Sequence, residues 1–135
     1  MISLLLYMLD TSTVSHLMRQ HARSCCRMLR VPMETLCISA VTDAELRFGL
    51  AKRPLAEQLH RAVHEFLLRV DSLPWHRQVA QRYGTLRAEL GQQGKPLGPL
   101  DLQIAAHASS IGAVLVTNDK AFAKVQGLNV EDWKQ

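Results

Sequence analysis

Two kinds of hydrophobic pattern alternate along the chain. Ile2 to Leu9 is a continuous apolar run, as in a strand covered on both faces, and the polar cluster Asp10-Thr11-Ser12-Thr13 behind it offers turn and cap chemistry. A helix from about Ser12 to Gln20 follows, then a second over Ala22 to Arg30, stopped by Pro32, whose ring disfavours helix at the preceding residue. Thr35 to Ile38 reads as a short strand. Ser39 to Leu50 is a helix with Val41, Ala44 and Phe48 at helical spacing, and Glu45 on or beside that apolar face. Ala56 to Val70 is amphipathic: Leu59, Val63, Phe66, Leu67 and Val70 turn inward, His60, Arg61, His64 and Arg69 outward.

Pro74 separates that helix from another over Arg77 to Leu90. The one glycine- and proline-rich stretch, Gly91 to Pro99, is a loop, and Pro99 suits the first position of a helix reaching about Ser110. Asp101 then stands in the first turn. Ala113 to Val116 is another buried strand, Thr117-Asn118-Asp119 the turn after it, Lys120 to Val125 a short helix and Asn129 to Trp133 an edge strand. Strand and helix alternate throughout, so a three-layer α/β/α fold is expected, with a central parallel sheet of four to five strands. With 135 residues, no repeat and no low-complexity linker, residues 1–135 read as one domain.

Composition narrows the class. Hydrophobic residues at 47% and charged residues at 21% are ordinary globular values and exclude disorder and a coiled coil. The run Ile2 to Leu9 is too short to span a bilayer, and it lacks a basic segment before it and a cleavage site after it. A cytoplasmic protein without a membrane anchor is expected. Of three cysteines, Cys25 and Cys26 are adjacent and no CxxC occurs, which argues against a disulfide framework or a zinc site. The net charge of +4 favours a polyanionic partner.

Four acids stand out by position. Asp10, Glu45, Asp101 and Asp119 each fall where a strand hands over to a helix or early in the next helix, and in a parallel sheet those places meet at one crevice. Singly, Asp10 and Asp119 are explained by turns and caps and Asp101 by the helix dipole; Glu45 by an ion pair with an arginine. Together they repel: two carboxylates about 4 Å apart cost roughly 4 kcal/mol at an effective dielectric of 20. A divalent cation relieves this, and carboxylate and water ligands suit Mg2+, with Mn2+ as substitute, rather than zinc. Such an ion activates water for phosphodiester hydrolysis.

Other motifs are weaker. Gly94-Lys95 is followed by Pro96 where a phosphate-binding P-loop needs Ser or Thr, and Ser12 stands where an aspartyl-phosphate phosphatase needs a second aspartate. His60 and His64 have i, i+4 spacing without the glutamate of HExxH. Arg19, Arg23, Arg27 and Arg30 suit a solvated face more than a phosphate ridge. His107 is expected to pack on its helix, and Trp75, Tyr83 and Trp133 in the core or a dimer contact.

The stretches YMLDTSTVS, ISAVTDAELRFG, RAELGQQGKPLGPLDLQIAAHA and VLVTNDKAF, together with the closing GLNVEDW, resemble in order and spacing the signature segments of PIN-domain ribonucleases, in particular VapC-type toxins of bacterial toxin-antitoxin pairs. The resemblance runs from Leu6 onward. It implies a PIN-like α/β/α fold with Asp10, Glu45, Asp101 and Asp119 at the catalytic positions, Asp10 and Asp101 being the safest metal ligands. It also implies a Mg2+-dependent endoribonuclease acting on transfer or ribosomal RNA, a homodimer, and neutralisation by a VapB-type antitoxin that approaches the acidic pocket. Ser12, where the family most often has Asn, is expected to orient Asp10 or a water; Thr117 and Asn118 are expected to support Asp119. Lys120-Ala121 replaces a segment where many relatives carry a further acid, which sharpens the expectation to a single ion. The rival reading is a catalytically silent PIN module that works as an RNA-binding or regulatory partner.

Overall fold

The computed structural model describes residues 5–19 and 30–133 of the chain. Within them β1 (Tyr7–Leu9) is followed by α1 (Thr11–Met18), a 3-10 turn (Met33–Thr35), β2 (Leu36–Ser39), α2 (Ala40–Ala51), α3 (Glu57–Arg69), β3 (Asp71–Leu73), α4 (Arg77–Gln92), α5 (Pro99–Ile111), β4 (Val114–Val116), a second 3-10 turn (Lys120–Lys124) and β5 (Asn129–Glu131). The strands form one parallel sheet in the order β3-β2-β1-β4-β5. The expected helix over Ala22 to Arg30, with Arg23, Arg27, Cys25 and Cys26, lies outside the described residues except for Arg30.

The strands are apolar without interruption because both faces are covered. Side chains alternate across a strand: Met8, Cys37 and Leu115 join the core that includes Val79, Leu86 and Leu90 of α4 and Leu102 and Ala105 of α5. Leu9, Leu36, Ile38 and Val116 join the opposite core, with Val14 of α1, Leu46 of α2, and Val63 and Phe66 of α3. Burying each larger side chain contributes about 1.5–3 kcal/mol. The burial of Cys37, with Asp71 adding to it, pushes its thiol up to about 12, so it is an inert core group.

Three local expectations differ from the structure. Of the run expected as the first strand, Tyr7–Leu9 is strand and Leu5 and Leu6 precede it, with the Val114 N–H bonding Leu6 O at 2.9 Å, while Ile2 to Leu4 lie outside the described residues. β3 was not anticipated: Asp71 and Ser72 are exposed, the strand pairs on one side only, and a three-residue edge carries no apolar alternation. On α2 the apolar face Val41, Ala44, Phe48 is misphased. Phe48 is 57% exposed, with Lys52 Nζ 4.7 Å over its ring, while Thr42 and Leu46 are buried. Thr42 tolerates burial because Thr11 Oγ1 lies 3.4 Å from its hydroxyl. The same rotation turns Glu45 inward with Leu46.

Candidate active site

Asp10 ends β1 and caps α1. Its Oδ1 accepts the Thr13 N–H at 2.8 Å, its own N–H bonds Val116 O at 3.1 Å, and the carboxylate is almost fully buried. The Thr13 hydroxyl donates to the same Val116 carbonyl at 2.9 Å, so the turn carrying Asp10 is fastened to the end of β4. Ser12 Oγ lies 3.2 Å from both Asp10 oxygens and from Asn118 Oδ1. One hydroxyl has one proton, and Ser12 Oγ has three acceptor oxygens around it, two of Asp10 and one of Asn118, to which that proton can be given. Ser12 thus joins the turn after β1 to the turn after β4.

Asp119 caps the 3-10 turn through Oδ1, which accepts the Ala121 N–H at 2.9 Å, and its own N–H donates to Thr117 Oγ1 at 3.0 Å. Asp10 and Asp119 are thus both helix caps. Asp101 occupies the first turn of α5 behind Pro99, where the helix dipole favours a negative charge. Glu45 comes from the second turn of α2.

All four acids line one cavity of about 280 Å³, together with Thr11, Ser12, Leu100 and Ile104. Burial first, and then the negative charges of Asp119 and Asp10, raise the Asp101 carboxyl above its ordinary value. The donors are oxygen atoms only, which fits Mg2+ or Mn2+ and not zinc. The acids do not close into one tight ligand cluster: among the described residues, no three His, Cys, Asp or Glu side chains are arranged to hold an ion. That suits Mg2+, which keeps several waters and binds through one or two carboxylates plus substrate phosphate. A second cavity of about 280 Å³ lies between α1, α2 and α3 and shares Thr11 and Glu45 with the first. Leu46, Leu50, Leu59 and Val63 give it apolar walls, and Arg19, Lys52 and Arg53 line it as well.

The other candidates fall elsewhere. His64, Arg61 and Arg69 are exposed, and His60 bonds Arg53 O through Nε2 at 2.9 Å. Arg19, Arg30 and Lys95 are exposed. Trp133 is core and stacks at a tilt on Tyr7, and Trp75 meets Tyr83 edge to face. Ser39, Thr13 and Thr42 escaped sequence reasoning, because Ser and Thr near helix starts ordinarily signal nothing beyond capping. No described helix is long and apolar enough to cross a membrane.

The PIN domain model matches residues 7–128. The chain is 37% identical over 131 residues to the tRNA(fMet)-specific endonuclease VapC of Shigella flexneri, covering 96% of this chain and 99% of the relative. It is 34% identical to Ribonuclease VapC2 of Haemophilus influenzae at the same coverage. Among solved structures, DNA-bound VapBC from Salmonella typhimurium superposes with a TM-score of 0.89 at 36% identity, covering 96% of this chain and 99% of that one. VapBC2 from Rickettsia felis, bound to a promoter DNA fragment, gives 0.87 at 34% identity and the same coverage. In sequence and in fold, the chain belongs to the PIN-domain family and, within it, to the VapC ribonucleases.

Proposed function

We propose that this protein is a cytoplasmic, homodimeric endoribonuclease toxin that hydrolyses phosphodiester bonds of a structured cellular RNA, transfer or ribosomal, and is silenced by a VapB-type antitoxin. The observation that carries this reading is the convergence of Asp10, Glu45, Asp101 and Asp119 on one cavity, with Asp101 under the repulsion of two of them. The Shigella relative, named for transfer RNA, supports the substrate class. Asp10 and Asp101 are the residues that would hold one Mg2+ or Mn2+. When bound, the ion supplies Lewis acidity to the scissile phosphodiester and to the attacking water. Glu45 and Asp119 accept hydrogen bonds from that water and orient it, and Ser12 and Thr117 keep Asp10 and the Asp119 turn in place. With four acids drawn into one cavity, the surface outside it is more basic than the net charge of +4 shows and attracts the RNA backbone.

The deciding experiment is cleavage of total RNA by antitoxin-free protein. Discrete fragments are expected with Mg2+ or Mn2+, and none with chelator. Binding of RNA with no cleavage under any divalent ion would instead establish the silent-module reading.

The cavity between α1, α2 and α3 is the proposed antitoxin seat, since a segment lying there reaches Glu45 and so the acids. Gly49 lines it, and a Cβ at that position meets nothing within 4 Å. Gly49→Leu is therefore expected to keep the fold, gaining roughly 0.5–1 kcal/mol from helix propensity, while filling the seat. Free Gly49→Leu toxin should cleave RNA like the parent, and co-expressed antitoxin should no longer arrest it. Full neutralisation of the variant would place the antitoxin elsewhere.

A further inference from the structure

Outside the lining of the acidic cavity, Ser39 and His107 form a buried polar pair, 0% and 1% exposed. His107 Nδ1 lies 2.7 Å from Ser39 Oγ, and the same Oγ accepts the Val41 N–H at 3.1 Å as the N-cap of α2. Burial, and secondarily His76, push the imidazole down to about 4, so it is neutral at physiological pH. With Oγ already accepting from Val41, its proton is free to go to Nδ1.

Ser39 ends β2 and caps α2, the helix that carries Glu45, and His107 belongs to α5, the helix that carries Asp101. Glu45 lies six positions after Ser39 along α2, and His107 six positions after Asp101 along α5. On its far side α5 is tied by Trp75 Nε1 donating to Gln103 O at 3.2 Å and by Arg82 Nε donating to Ser109 Oγ at 2.8 Å. Toward α2 the buried tie is Ser39–His107. An apolar contact there would fill space equally well; a hydrogen bond adds a fixed distance and direction.

We propose that Ser39 and His107 are positioning residues, whose hydrogen bond holds α2 against α5 and so sets the separation of Glu45 and Asp101 across the cavity. This rests on the reading of that cavity as a divalent-ion site. The test compares full-length parent, His107→Leu and His107→Asn for Mn2+ affinity by calorimetry, for RNA cleavage and for thermal midpoint. His107→Leu keeps the volume and loses the bond. His107→Asn can place an amide oxygen close to where Nδ1 stands.

His107→Leu is expected to weaken Mn2+ binding about tenfold and to lower kcat with little change in KM, as lost outer-shell support does. His107→Asn should recover most of both. If His107→Leu binds Mn2+ and cleaves as the parent does, with only its midpoint lowered, the pair is merely structural and the proposal falls. It falls equally if His107→Asn is no better than His107→Leu. Should His107→Leu not fold, Ser39→Ala tests the same bond from the other end with the imidazole in place, and parental Mn2+ affinity in it overturns the proposal. A parent that binds Mn2+ but cuts no RNA would refute the ribonuclease reading alone, because the affinity comparison still decides the role of the pair. A parent that binds no Mn2+ overturns both.

Discussion

Asp101→Asn is expected to abolish RNA cleavage, by roughly a thousandfold or more, and at the same time to raise the thermal midpoint of the ion-free protein. The first effect follows if Asp101 holds the ion, because a lost Lewis acid removes several kcal/mol of transition-state stabilisation. The second follows first from the desolvation of the Asp101 carboxylate by burial and then from the repulsion that Asp119 and Asp10 exert on it. A carboxyl whose pKa is raised by folding penalises the folded state only when ionised. Below the ordinary carboxylate range parent and variant should melt alike; the gap opens as pH rises and is complete above the raised value. Adding Mn2+ should close it from the other side, stabilising the parent by mass action and not the variant. Cleavage by Asp101→Asn at the parental rate would remove Asp101 from the mechanism, and an equal midpoint at neutral pH would refute the uncompensated repulsion.

Asp10 separates capping from chemistry. Asn caps a helix as well as Asp does, so Asp10→Asn should keep the Thr13 N–H bond and leave stability within about 0.5 kcal/mol, while removing the charge. Asp10→Ala loses the cap as well and should cost roughly 0.5–2 kcal/mol. Both are expected to lose at least about a hundredfold in cleavage rate and to relieve growth arrest on expression, since neither offers an anionic oxygen to a cation. Melting curves and cleavage rates measured on the two variants decide the matter. If Asp10→Asn cut RNA within a few-fold of the parent, Asp10 would be a cap and nothing more.

The architecture was legible because it rests on local signals. The apolar runs ending at Leu9 and Val116 have no polar face, which requires helices on both sides, and the turn residues Asp10 and Thr117-Asn118-Asp119 follow them directly. Pro99 at the start of α5 placed Asp101 in the first turn without further help. Legibility ended where burial stopped following hydrophobicity. Apolar spacing turns Phe48 inward although it lies outward, and it says nothing of Thr42, which is buried with its hydroxyl satisfied by Thr11. β3 is held by backbone pairing to β2 and by Ser72 donating to Asp43 at 2.8 Å, neither of which leaves a pattern in three residues.

Residue type and period alone show which side chains are acidic, that they stand at strand ends and helix starts, and that a parallel α/β sheet collects such places at one edge. These are matters of residue type and period, and they survive small errors in element boundaries. The packing of helices on the sheet is what makes the four acids share a cavity without closing into a ligand cluster, and what leaves Asp101 desolvated and repelled by two of them. The same packing brings Ser39 and His107, 68 residues apart, into a buried hydrogen bond. Distances of a few ångströms between residues remote in sequence depend on how helices pack across a sheet, and Coulomb and hydrogen-bond energies change steeply over those distances.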